Sequence, residues 1–376
     1  MIEILFLILS IFYGGTILFF YLGLKKEIKR PLPEKRWKPR VTVLVPARNE
    51  AHRIVNTLKS LKEQTYPTSL LQVIIIEDHS TDHTADVVRQ FIDEHQLSHF
   101  KLLIHRNDGQ KPTFKKTAIK FALEYAHGEV ILTTDADCKV QPRWVESMVE
   151  HYDDNTGMVA GLVTFELDEK STLFHRLQTL EFAGLVLSGV GAVGNEHPLI
   201  CNGSNLSYRR AAFDEVGGFD GHEHLPSGDD DLLMQNLHHH TRWKIRYNLQ
   251  PEAINYTRPV DSLSEFLNQR ARWASKSTNY PGVLTSLFLL GIYLFYLLLF
   301  LMTPLAILHK FPLSILMIGY GMKIIPEFMI MRSGLRILQQ SSLLRWFPVA
   351  EFFQIPYIVY AGFAGFFKLF KWKPNT

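Results

Sequence analysis

In "ILTTDADCKV", residues 131–140, an apolar run breaks into Asp135, one small residue and Asp137. Such a pair has two readings. Asp ends strands because its side chain bonds nearby backbone N–H groups, which makes a turn. Hard divalent cations also take carboxylate oxygens, one or two from the protein and the rest from substrate phosphates. A second acidic cluster, Asp229, Asp230 and Asp231 in "SGDDDLLMQNL", could supply a general base. Its plain alternative is the capping of a helix N-terminus, where acids are favourable.

The elements carrying these acids weigh the readings. "VTVLVPARNE" (41–50), "LQVIIIEDHSTD" (71–82), "KLLIHR" (101–106) and "EVILTTDAD" (129–137) read as apolar strands opening into polar loops. Between them, residues 50–64 place Ile54, Val55, Leu58 and Leu61 at helical spacing, and 84–95 and 114–128 also predict helices, Gly128 stopping the last. Strands alternating with helices predict an α/β fold with a parallel sheet and helices on both faces. Ligands of such sheets sit at the carboxyl ends of the strands. Arg48, Asn49 and Glu50, then Glu77 and Asp78, then Asp135 and Asp137 all fall at such ends. Three strands delivering these groups to one rim favour a metal and nucleotide site over three independent turns.

The chain of 376 residues is segregated. Residues 2–24 carry one charge, Glu3, and residues 283–308 carry none, each long enough to cross a bilayer core of about 20 residues. Residues 311–331, with Lys323, Pro326 and Glu327, and residues 347–367, with Glu351 and Pro356, are weaker candidates. The middle is polar enough for a soluble domain and long enough for a substantial core. A basic run at 25–40, with eight Lys or Arg, follows the first span where a signal peptide would have a cleavage site. It predicts a retained anchor and, by the positive-inside rule, a cytoplasmic middle domain. That run is either a solvated linker or a segment lying on anionic lipid. The net charge of +3 says little, and no nucleic-acid partner is expected. Cys138 and Cys201 predict no disulfide framework. Sequons at Asn202, Asn205 and Asn255 would stay unmodified in a cytoplasmic domain. "GVGAVG" (189–194) matches a dinucleotide fingerprint by letter but follows no strand, so a helix at or near the membrane surface is expected. "HHH" (238–240) reads as a solvated helix face.

Five stretches in order, "VPARNE", "EDHSTD", "TDAD", "GDDDLL" and "QRARW", give the middle of the chain its likeness. It resembles the family 2 glycosyltransferases, in the membrane-anchored branch of cellulose, hyaluronan and poly-N-acetylglucosamine synthases and ceramide glucosyltransferase. The resemblance implies a GT-A-like nucleotide-sugar-binding sheet with N- and C-terminal transmembrane helices. It implies a nucleotide-sugar site of Pro46, Arg48, Glu50, Asp78, Lys115 and Asp135, with Lys116 an alternative to Lys115 by register. It implies Mg²⁺ or Mn²⁺ on Asp137 with Asp135, and Asp230 as base, with Asp229 and Asp231 still in play. It places Gln269 and Arg272 near the diphosphate, Trp273 beside donor and acceptor, and Asn202, Gly203 and Ser204 on the acceptor side. The "LSEFLNQRARWASKS" helix (263–277) is equally apt as an interfacial anchor.

The expected organisation is an anchor (1–24), a basic linker (25–40), a nucleotide-sugar half (41–150), an acceptor half with the base (151–261), an interfacial helix (262–280) and a membrane region of two to three spans (281–376). Four candidate spans are few for a sugar-wide pore. The first expectation is therefore an inverting transferase, UDP-dependent by resemblance, acting on a lipid or glycan hydroxyl at the cytoplasmic membrane face. A processive polysaccharide synthase, completed by a membrane partner or homo-oligomer, is the second. An inactive nucleotide-sugar-binding scaffold is the third.

Overall fold

The computed structural model describes residues 1–34, 37–106, 114–220, 228–275 and 283–371. Residues 276–282, the end of the expected interfacial segment, and 372–376 lie outside that description. In chain order the first half runs α1 (Ile2–Ile28), β1 (Val41–Ala47), α2 (Ile54–Lys62), β2 (Leu71–Asp78), α3 (Thr84–Glu94), β3 (Phe100–His105), α4 (Lys115–Leu123), β4 (Val130–Thr133) and α5 (Trp144–Val149). The second half runs β5 (Thr156–Gly161), β6 (Val163–Phe165), α6 (Leu173–Gly194), β7 (Leu206–Arg209), α7 (Arg210–Glu215), α8 (Asp231–His240), β8 (Lys244–Asn248) and β9 (Asn255–Thr257). It ends in α9 (Leu263–Ala274), α10 (Val283–Ile307), α11 (Leu313–Ile337) and α12 (Phe347–Phe366). The chain divides into two units.

The first unit comprises residues 27–166 and 196–258. Its sheet has the order β3-β2-β1-β4-β7-β5-β8. β3, β2, β1 and β4 are parallel; β7 runs antiparallel between β4 and β5. This is the expected α/β architecture, GT-A-like, and it explains the continuous apolar runs. In β1 and β4 every residue but Pro46 is buried, as strands covered on both faces must be. Ile54, Leu58 and Leu61 of α2 and Trp144 of α5 are fully buried in the core against Val43, Val45 and Leu132. β4 ends at Thr133, four residues short of the expected strand: the Thr134 N–H still bonds the Leu44 carbonyl of β1, and Asp135 to Cys138 then form a turn closed by the Cys138 N–H on the Asp135 carbonyl.

Two of the three sequon asparagines are structural. The Asn205 amide donates to the Leu162 and Ala253 carbonyls and accepts from Trp144 Nε1, with no exposure. Asn255, equally buried, donates to the Ser204 carbonyl. The histidine run closes α8, with His239 and His240 exposed.

The second unit is helical: residues 1–26, 167–195 and 259–376. It contains helices long and apolar enough to cross a membrane, at Ile2–Ile28, Leu173–Gly194, Val283–Ile307, Leu313–Ile337 and Ser341–Phe366. The second, α6, adds a fifth to the four read from the sequence. It contains "GVGAVG", and the glycines have a packing reason. A Cβ on Gly191 would lie 2.1 Å from the Phe20 carbonyl oxygen, and one on Gly194 would lie 2.1 Å from that of Gly23. α1 and α6 therefore cross backbone to backbone. Gly191→Leu should separate them and destabilise the protein by about 1–3 kcal/mol or more, read as a fall in thermal midpoint in detergent. An unchanged midpoint would contradict that contact.

Candidate active site

The carboxyl ends of β1, β2 and β4 gather the expected rim. Lys115 opens α4, whose N-cap is Phe114. From that position its Nζ reaches Asp135 Oδ1 at 2.6 Å and Asp229 Oδ2 at 3.2 Å. Lys116, one position on, turns inward and is 2 % exposed, so the register favours Lys115. Burial lowers the Lys115 pKa, but the charges of Asp135 and Asp229 and the bond to Asp135 raise it further, so the ammonium stays charged.

The three acids have separate tasks. Asp229 is joined to Lys115. Asp230 is the N-cap of α8: its Oδ1 accepts from the Asp231 N–H at 2.8 Å and its Oδ2 from the Gly203 N–H at 3.0 Å. Asp231 is 3 % exposed and its Oδ1 accepts from the Cys201 N–H, which ties the α8 start to the segment before β7. Gly203 brings its backbone close to the Asp229–Lys115 pair. Its Cβ would lie 2.8 Å from Asp229 Oδ2 and 3.2 Å from Lys115 Nζ. Its carbonyl accepts from Thr133 at the end of β4. Asn202 Oδ1 takes the Ser204 N–H and hydroxyl, folding this turn onto itself. The structure thus brings Lys115, Asp135, Asp229, Asp230 and Gly203 into one cluster.

The β1 and β2 loops are laced together beside it. Asn49, at φ 55°, donates its N–H to Ser80 Oγ and accepts from Thr81. The Glu50 N–H donates to Thr84 Oγ1 and the Ala51 N–H to Asp82 Oδ2. Hydrogen bonds from Thr84 and the Ala51 N–H hold the Asp82 carboxyl below its ordinary pKa, outweighing its slight burial. Pro46, within β1, and Arg48, in the loop after it, are half-buried. Asp78, the last residue of β2, accepts from both His79 and His105. Neither histidine was singled out from the sequence. The β2–β3 register, which pairs Asp78 with His105, is what joins them.

Asp135, Asp137 and Cys138 place one ligand atom each within 4.8 Å of the others. Burial, then the charges of Asp135 and Asp137, push the Cys138 thiol well up, and a thiol is the softer donor of the three. That leaves two half-exposed carboxylates, the donor set of a hard cation such as Mg²⁺ or Mn²⁺.

Gln269, Arg272 and Trp273 belong to α9 in the helical unit. There Trp273 packs against Phe182, ring centroids 5.8 Å apart, and Gln269 accepts from Arg270. Arg270 of the same helix is buried. It forks onto Glu181 of α6 between the rings of Phe266 and Trp273, and Tyr357 of α12 donates to the same carboxylate.

Residues 130–363 match the family described as Glycosyl transferase family group 2, and residues 42–217 match Glycosyl transferase family 2. The chain is 26% identical over 263 residues to "Probable glycosyltransferase YdaM" of Bacillus subtilis, covering 68% of this chain and 59% of that one. It is 23% identical over 268 residues to the poly-beta-1,6-N-acetyl-D-glucosamine synthase of Staphylococcus epidermidis, covering 69% and 60%. The chain thus spans about three fifths of the length of these curated relatives. Its fold is similar to that of a mannosyltransferase of Pyrobaculum calidifontis, solved in complex with GDP-Man and Mn²⁺. The TM-score is 0.61 at 18% identity, over 98% of this chain and 99% of that one.

Proposed function

The chain belongs to glycosyl transferase family group 2, and we propose that it moves one sugar from a UDP-linked donor to a lipid or glycan hydroxyl. The transfer inverts the anomeric centre and takes place at the cytoplasmic face of a membrane that the helical unit spans several times. The observation that carries this reading is the cluster centred on Lys115, which joins an acid after β4 to the acids before α8. A cation beside carboxylates puts charge for a departing diphosphate next to a base for an attacking hydroxyl.

In this reading Asp78 and the β1 loop, with Pro46, Arg48 and Glu50, hold the nucleoside. Lys115 turns from Asp135 toward the diphosphate when the donor enters. Asp137 with Asp135 would hold Mg²⁺ or Mn²⁺, which would supply positive charge to the departing diphosphate. Asp230 takes the proton of the acceptor hydroxyl as its oxygen bonds the sugar C1 and the bond from C1 to the diphosphate oxygen breaks. The electron pair of that bond leaves with UDP. Asp230 suits the base role better than its neighbours. It accepts from two backbone N–H groups, whereas Asp229 is in ion-pair contact with Lys115 and Asp231 is deeper. Asn202, Gly203 and Ser204 line the acceptor side.

A processive synthase is the second reading, favoured by the likeness to the staphylococcal synthase. A donor screen on detergent-purified protein with Mg²⁺ or Mn²⁺ and mixed host lipids separates the two. One added hexose or amino-hexose per lipid, lost in Asp137→Ala, is the expected result. A ladder of repeating units would instead establish the synthase. Nucleotide binding without turnover on any donor would revive an inactive scaffold.

A further inference from the structure

Asp78 ends β2 with its side chain almost wholly buried, and one of its oxygens is already full. Oδ1 accepts from His79 Nδ1 and from His105 Nδ1, each at 2.8 Å. A carboxylate oxygen offers two lone-pair sites and only accepts, so both rings carry hydrogen on Nδ1 and Oδ1 has no site left. Oδ2 makes no hydrogen bond among the described residues. The arrangement is braced. His79 sits at φ 57°, a left-handed conformation rare outside glycine, and its ring meets that of His105 edge to face. His105 packs in turn on Phe121 of α4, ring centroids 5.1 Å apart. The neighbouring Glu77 is spent elsewhere, on the Ser80 N–H and Arg106.

We propose that His79 and His105 set the nucleobase of the donor: by saturating one oxygen of Asp78 they leave a single acceptor, which selects uracil over guanine. The inference rests on the reading of this rim as a nucleotide-sugar site. Guanine presents two adjacent donors, N1–H and N2–H, which a carboxylate pairs by using both of its oxygens. With Oδ1 filled, one of those donors is left unpaired. Uracil presents one donor, N3–H, between two carbonyls, and Oδ2 alone satisfies it. Cytosine and adenine put a ring-nitrogen acceptor beside the amino group, facing the carboxylate lone pairs. A buried site that leaves a polar group unpaired loses about tenfold or more in affinity.

The test is nucleotide binding, not turnover. UDP, GDP, CDP and ADP are titrated calorimetrically into full-length protein in detergent with Mg²⁺. UDP should bind at least about tenfold more tightly than GDP. His105→Phe keeps a ring on Phe121 but removes the donor, which opens a site on Oδ1. It should narrow the UDP-to-GDP ratio to within about threefold. His105→Asn, which keeps an N–H donor at a similar reach, should hold the wild-type ratio and controls for loss of folding. GDP binding as tightly as UDP in the wild type, or an unaltered ratio in His105→Phe, would overturn the proposal. So would stoichiometric Zn²⁺ binding lost in His105→Phe with the ratio unmoved, which would make the triad a metal site. Binding of no nucleotide would remove the function reading itself, and this inference with it.

Discussion

Asp230→Asn should lower kcat by about 10²–10⁴, the usual contribution of a positioned general base, while leaving UDP affinity within about twofold of wild type. The substitution is close to neutral for folding on one side and not on the other. Asparagine is as good an N-cap as aspartate, so its oxygen can keep the bond from the Asp231 N–H that starts α8. Its amide nitrogen would then face the Gly203 N–H, donor against donor, and that bond is lost. The cost should be about 1 kcal/mol, a small fall in thermal midpoint that does not unfold the unit. Asp229→Asn should behave differently. Lys115 would keep Asp135 and lose one of its two carboxylates, so donor binding should shift with turnover. The two variants, assayed for product at saturating donor and for UDP binding, separate base from charge partner. Wild-type turnover in Asp230→Asn, or a larger loss confined to kcat in Asp229→Asn, would move the base to Asp229.

The two variants also mark how far the sequence could be read. The runs that became β1, β2 and β4 were legible because parallel strands are covered on both faces and leave unbroken apolar letters. The rim followed from them, since polar residues ending successive strands must converge. What could not be read was register. A helix start displaced by one residue rotates every side chain by about 100°. That is why Lys115 and Lys116, or Asp229, Asp230 and Asp231, could not be placed from the letters, whereas the N-caps Phe114 and Asp230 fix where each side chain falls. The glycines of "GVGAVG" lie in a helix, α6. Their actual partner, the backbone of α1 near Phe20 and Gly23, lies about 170 residues away in sequence, and no local pattern encodes it. His105 shows the same limit: its meaning comes from the strand pairing that sets it beside Asp78.

Lys323→Met should destabilise the helical unit by about 3–5 kcal/mol, the usual result of removing one partner from a buried ion pair. From sequence, Lys323 and Glu327 looked like flaws in an apolar span. The structure makes them the centre of a junction. Lys323 is fully buried, and its three donors go to Glu327 at 3.0 Å, to Glu351 and to Gln354 at 2.5 Å. Glu327 in turn accepts from Tyr13 of α1 and from Tyr296 of α10. Four helices, α1, α10, α11 and α12, thus meet on one polar network that satisfies every ammonium proton. Methionine fills the stem of the lysine but leaves Glu327 and Glu351 facing each other without a cation. In an apolar surrounding that is the costly half of the exchange, because the carboxylates lose their partner and recover no water. Removing the charges together is a different matter. Lys323→Met with Glu327→Gln and Glu351→Gln leaves no uncompensated charge and should recover most of the lost stability. The comparison is a thermal unfolding series in one detergent, read by intrinsic fluorescence. If the single variant melts with the wild type, the network contributes nothing to packing. If the triple variant melts no higher than the single one, the lysine acts through its shape or its bond to Gln354, not through the charge balance argued here.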